Sequence, residues 1–103
     1  MQQALSPLVF EASVSNDGVV HAAGEIDSAT APLLRDRLTL AAQSTDTDVV
    51  VDLADVTYMD LRGLYVLVDV SRQLEADGRR RRARRPRPIV RRLSELDRLD
   101  GFL

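Results

Sequence analysis

The sequence predicts an α/β domain, α+β-like at its start: a small mixed four-stranded sheet, opened by a β-hairpin, continued by βαβ crossovers and covered by helices. Three observations carry this. Two short apolar segments flank an Asp-Gly turn signal. A continuous β-branched run lies between two stretches of helical apolar spacing. The 103 residues, 45% hydrophobic, suffice for one core and are too few for two.

Leu8, Phe10, Ala12 and Val14 fall on one face of a first strand. Ser15-Asn16-Asp17-Gly18 supplies the positive φ a tight hairpin needs, and Val19-Val20-His21-Ala22-Ala23 returns as the second strand. Gly24-Glu25-Ile26-Asp27 then leaves the sheet. Ser28 or Thr30 caps a helix that tolerates Pro32 in its first turn, shows Leu34, Leu38, Ala41 and Ala42 to the core, and stops near Gln43-Ser44.

Val49-Val50-Val51-Asp52-Leu53 suits a central strand buried on both faces. Ala54 to Asp60 connects it to a second helix, about Arg62 to Ala76, with Leu64, Leu67, Val68, Ser71 and Leu74 as its main stripe. Gly78 ends that helix as a left-handed cap. A fourth strand is placed within Arg79 to Arg85 because one helix has just ended and another begins near Pro88; the segment has no apolar alternation. Ile89, Val90, Leu93 and Leu96 form a last amphipathic helix, and Leu99, Phe102 and Leu103 close the chain. The expected organisation is a single domain, 1–103, with its core from about residue 8.

Composition removes several function classes. No apolar run reaches the eighteen residues of a membrane span, and the first residues lack the pattern of a signal peptide. Cysteine is absent, so disulfides, Cys-ligated zinc and thiol chemistry are excluded and the expected address is the cytoplasm. The net charge of −2 hides a polarity. Residues 1–78 carry 13 acids and 4 arginines, residues 79–103 carry 10 arginines and 3 acids, and there is no lysine.

His21 is the sole histidine and has no ligand type beside it, so an ordinary strand side chain is expected and no metal or cofactor. Asp52, Asp55 and Asp60 are placed after the central strand, where α/β folds gather active sites. Receiver-type phosphoryl chemistry would also need an early acidic pair and a lysine, and Gly24, Gly63 and Gly78 are too isolated for a phosphate loop. Nothing assembles a nucleophile, a base and an oxyanion site, so no enzyme is expected. Residues 79–92 hold nine arginines and no acid, enough to clamp phosphates, yet no aromatic residue to stack on bases. Nucleic acid is therefore the lesser reading of that block, and a protein-contact or surface feature the greater.

Two segments match a known pattern. Gly24-Glu25-Ile26-Asp27-Ser28-Ala29-Thr30-Ala31-Pro32-Leu33 resembles a "G-E-[IL]-D" turn into a first helix. Val49 through Leu64 resembles the signature "V-V-[LV]-D-L-s-x-V-x-[FY]-[IM]-D-S-[ST]-G-L". With the tail through Pro86, Ile89 and Leu93, residues 8 to 103 resemble the STAS domain of bacterial anti-sigma factor antagonists. The resemblance implies a STAS fold and a non-enzymatic regulator whose partner is an anti-sigma factor that is also a serine kinase. Binding frees the sigma factor. The kinase then phosphorylates the serine after the motif's Asp, and the complex dissociates.

This sequence departs at that place. Asp60 matches the motif's acid, but Leu61 occupies the acceptor position and Arg62 replaces the second hydroxyl residue. Leucine has no nucleophilic oxygen, so the switch cannot operate there. Ser28, Thr57 or Ser71 are possible substitutes, Thr57 first because it lies three residues before Asp60. The resemblance places partner contacts at Asp27, Ser28, Asp60, Leu61, Arg62 and Gly63, with Asp60 capping the helix, Leu61 an apolar anchor and Arg62 a partner-selecting charge. Arg81 stands where the family's fourth strand is apolar and inward, so that strand is expected to be shortened, shifted or at an edge. Two other roles are carried forward: the STAS subunit of a lipid-transport ATPase complex, and a phosphate-binding module built on Arg79 to Arg92. The pattern sets no oligomeric state.

Overall fold

The Asp17-Gly18 turn closes as its residues require. Gly18 adopts φ +81°, Ser15 N donates to Val19 O at 2.9 Å, and the Ser15 hydroxyl donates to the Asp17 carboxylate. Around it the computed structural model describes residues 10–96; the expectations at Leu8, Leu99, Phe102 and Leu103 fall outside them. The elements run β1 (Phe10–Val14), β2 (Val19–Ile26), α1 (Ala31–Ser44), β3 (Val49–Met59), α2 (Leu61–Ala76), β4 (Arg81–Arg84) and α3 (Pro88–Leu96). The sheet order is β1-β2-β3-β4, antiparallel in the hairpin and parallel across β2–β3 and β3–β4. This is the predicted mixed four-stranded sheet.

Two boundaries differ from expectation. β2 continues to Ile26 where an exit after Ala23 was expected, and β3 continues to Met59 where the strand was expected to end at Leu53. The cause is two register shifts, between His21 and Ala23 and between Gly24 and Glu25, that set the 10 residues Val50–Met59 of β3 against the 8 of β2. Each shift breaks the alternation on which strand recognition rests. Asp52 and Asp55 therefore lie inside β3; only Asp60 lies beyond it.

The inward face of the sheet, with Val20, Ala22, Ile26, Val49, Val51, Leu53, Val56 and Met59, packs on Leu34, Leu38 and Ala41 of α1 and on Leu64, Leu67, Val70 and Leu74 of α2. Val90 of α3 joins the same core. Helix α2 ends in a Schellman cap: Arg79 N donates to Leu74 O at 2.8 Å, Gly78 N to Glu75 O at 3.0 Å, and Gly78 takes φ +75°.

Much of the arginine block is consumed inside the fold. Arg79 Nη1 donates to Ala42 O (2.9 Å) and Thr45 O (2.7 Å), closing the C-terminal end of α1 from 34 residues or more away. Arg82 pairs with Asp48 at 3.0 Å and holds its carboxyl below the usual range. Arg84 and Arg85 share Asp52, and Arg87 Nε donates to Ala54 O at 2.7 Å. β4 is an edge strand, one of the three outcomes expected from Arg81, yet the Arg81 side chain still turns inward, where Nε donates to Ser71 Oγ at 2.8 Å and burial brings the guanidinium down to about 10.

Candidate functional site

Ile26 and Met59 are register partners at the C-terminal ends of two parallel strands, so the residues after them emerge side by side. Asp60 N donates to Ile26 O at 3.0 Å and locks the two exits together. The six residues expected to face a partner, Asp27, Ser28, Asp60, Leu61, Arg62 and Gly63, are thereby brought to one end of the sheet, although the two segments are more than thirty residues apart in sequence.

Each exit is built by an aspartate. Asp27 Oδ1 accepts from Ala29 N (2.9 Å) and Thr30 N (3.2 Å), while the Thr30 hydroxyl accepts from Asp27 N and donates to Glu25 O, both at 2.9 Å. Thr30 occupies the N-cap position of α1 without a side-chain capping bond, since its hydroxyl is spent on this turn; Ser28 is exposed and caps nothing. At the second exit Asp60 caps α2 as expected: Oδ1 accepts from Arg62 N (2.9 Å) and Gly63 N (3.3 Å).

Gly63 is the contact that lets α2 start there. A β-carbon at this position would lie 2.5 Å from Ile26 Cγ2 and 2.9 Å from Met59 Cγ. Gly63 is therefore a buried spacer under the site, unlike its neighbours. Leu61 is 40% exposed at the first position of α2, and Tyr65, one turn on, is 43% exposed. Arg62 is exposed between them. Arg62 and Tyr65 line a groove of about 530 Å³ between α1 and α2, whose other walls include Ser28, Pro32, Arg35 and Asp36; Leu61 lies outside that lining, one helical turn before Tyr65. Sequence reading missed the α1 wall and Tyr65. Their signal was faint: Tyr65 sits within an apolar stripe, and only its position at i+4 from Leu61 puts it on the outer side.

The other hydroxyl candidates are placed plainly. Thr57 is exposed but lies within β3, and Ser71 is buried with Arg81 donating to it. On the sheet face opposite α1 and α2, Ser13, His21, Asp52 and Arg84 align in one register row. Asp52 is 2% exposed, accepts from Ala54 N at 3.1 Å, and takes Arg85 (2.5 Å) and Arg84 (3.1 Å) on Oδ2. The Arg85 hydrogen bond, helped by Ala54 N and Arg84 and opposed by burial, brings its carboxyl down to about 2. His21 Nδ1 stands 3.7 Å from Oδ2, beyond hydrogen-bond reach, so the row is an ion-pair hub centred on Asp52. Among the described residues, no group of three or more His, Asp or Glu side chains is arranged to hold a metal ion, and no helix is long and apolar enough to cross a membrane.

A hairpin feeding two parallel crossovers, with paired aspartate-built exits at one end, defines a small α/β domain of a recognisable kind. A family model described as Mlab, STAS domain, matches residues 9–103, and the chain belongs to the STAS domain family. Among relatives, the anti-sigma-B factor antagonist of Bacillus subtilis (strain 168) is 44% identical over 64 residues, which is 61% of this chain and 57% of that protein. The match thus spans just over half of that relative's length. A crystal structure of an anti-sigma factor antagonist from Mycobacterium paratuberculosis superposes with a TM-score of 0.74 at 32% identity, over 95% of this chain and 86% of that one. The anti-sigma factor antagonist SpoIIAA in its unphosphorylated form shares the fold, with a TM-score of 0.66 at 22% identity over 87% of this chain and 81% of that one.

Proposed function

We propose that this chain is a non-enzymatic, cytoplasmic anti-sigma factor antagonist that binds an anti-sigma factor of the serine-kinase type, and so regulates transcription, without a phosphorylation switch at the usual position. The antagonists among its relatives support the role. One observation carries the missing switch: the capped first turn of α2 presents Leu61 and Arg62 to solvent, a hydrocarbon and a guanidinium where the motif carries hydroxyls. A phosphoserine there would add about −1.5 to −2 charge to an interface shaped for a neutral group. Leu61 cannot acquire that charge, so the bound state has no covalent off-signal at this turn.

The test is a binding panel. Purified anti-sigma factors are titrated against the full chain, alongside the ATPase subunit of a bacterial lipid-transport complex. Saturable binding to an anti-sigma factor, with release of its sigma factor, is the expected result. Binding to the transport ATPase alone would move the chain to the other docking role that the STAS resemblance carries. Retention on RNA at physiological salt would point to Arg79–Arg92 as a phosphate-binding module; with Arg79, Arg82, Arg84, Arg85 and Arg87 already bonded within the fold, that result is not expected.

A further inference from the structure

The groove between α1 and α2 has a definite electrostatic remainder. On its α1 side, Arg35 is tied to Asp69 of α2 at 2.8 Å, and Asp36 to Arg37 at 2.5 Å. Those four charges cancel locally. Arg62, on the opposite wall, has no acid within ion-pair distance among the described residues. The rim beside it is apolar: Leu61 and Tyr65 stand one helical turn apart with about two fifths of their surface exposed. Among the charges that line the groove, Arg62 is the one left without an acid, beside a leucine and a tyrosine ring, and it suits a ligand with one carboxylate flanked by apolar groups.

The backbone of the walls decides the ligand's secondary structure. Both walls are helices whose main-chain groups are bonded internally, so an extended segment laid between them would find no ladder for its own N–H and C=O groups. A helix arrives with those groups already satisfied. From Ala31 to Thr39 the groove runs about 12 Å, at 1.5 Å per residue, room for two turns of a second helix.

We propose that this groove seats an acid-bearing amphipathic helix of the anti-sigma partner, with its carboxylate on Arg62 and its apolar side chains on Leu61 and Tyr65. This rests on the antagonist role above and deepens it: the partner is selected by charge at the position where the family motif carries a second hydroxyl. The ion pair forms at the edge of an apolar contact, where excluded water strengthens it.

The experiment uses the anti-sigma factor that the wild-type chain binds in the panel, followed by calorimetric titration. Arg62→Glu is expected to weaken binding at least tenfold, and Leu61→Asp likewise. Reversing one Asp or Glu of the partner to Arg is expected to restore binding of Arg62→Glu and to harm binding of the wild type. Arg92→Glu, the same charge change on the exposed side of α3, is expected to stay within twofold. Arg62 is exposed, and an acid in a first helical turn is favourable, so an unchanged melting curve will separate lost contact from lost folding. Binding of Arg62→Glu within threefold of wild type, or rescue by no partner reversal, would overturn the inference while leaving the antagonist role standing. Concentration-dependent self-association abolished by Leu61→Asp would overturn it in favour of a second copy in the groove. If no anti-sigma factor binds the wild type, the role itself falls, and this inference with it.

Discussion

Arg85 places its guanidinium 2.5 Å from the carboxylate of Asp52, which lies in the middle of β3 and is almost wholly buried. The pairing joins the sheet's interior to the turn between β4 and α3, where Arg85 adopts φ +55°, a left-handed backbone that a side chain of this size rarely takes. Arg84 reaches the same oxygen from the neighbouring strand. Burying a carboxylate is costly unless it is paired, and here the charge is matched twice.

Asp52→Asn keeps the acceptor for Ala54 N and removes the charge. Because the arginine head groups are half to two-thirds exposed, solvent screens much of the pair, and a loss of about 1–2 kcal/mol is expected. The pH dependence gives the sharper signature. The folded carboxyl lies near 2, against an ordinary aspartate value of 3.8, so its stabilisation is present above about pH 4 and drains away as pH falls from 4 to 2. Chemical denaturation of wild type and variant across that window should converge at the acid end. A constant difference down to pH 2 would contradict the pairing.

Gly63→Ala tests the fit beneath the candidate site. The added methyl meets Ile26 and Met59 below 3.0 Å, and two β-strand ends cannot both move aside. A destabilisation of about 1–3 kcal/mol is expected from overpacking, offset only partly by alanine's better helix propensity. Backbone amide shifts should be confined to the two exits and the first turn of α2. An unchanged or raised melting temperature would show that the helix start is not set by this contact.

Arg79→Lys tests whether the arginine block serves the fold. One guanidinium nitrogen of Arg79 serves two carbonyls at the end of α1, and the residue's planar fork is held in place by its own helix cap. A lysine ammonium is a strongly hydrated point charge on a floppier stem and keeps only part of this geometry. A loss of about 1 kcal/mol is expected, with faster amide exchange at Ala42–Thr47. Full stability in the lysine variant would mean that charge alone suffices.

How much of this was written in the sequence depends on the range of the interaction. The hairpin was legible because Asp17-Gly18 allows few other conformations, whereas the α2 cap came with the resemblance, which aligns Asp60 with the motif's acid. The outer half of β3 was not legible: bulges destroy alternation locally, and Ala54 to Asp60 then reads as a loop. The Asp52 hub was hidden for a different reason. Its partners lie 32 and 33 residues away, and an arginine-rich segment with no alternation does not say which guanidinium turns inward. The exits at Asp27 and Asp60 were found separately, through the resemblance; the groove joining them depends on the packing of α1 against α2, which no local pattern encodes.

The central claim is that association with a kinase-type anti-sigma factor has no covalent off-switch at the start of α2. The most direct measurement follows the purified complex after addition of Mg-ATP, with intact-mass spectrometry of this chain at each time point. The account predicts an unchanged mass and an undiminished complex while the kinase phosphorylates a serine-bearing antagonist in a parallel reaction. A gain of one phosphate on this chain, at Ser28, Thr57 or any other hydroxyl, with matching loss of the complex, would contradict it.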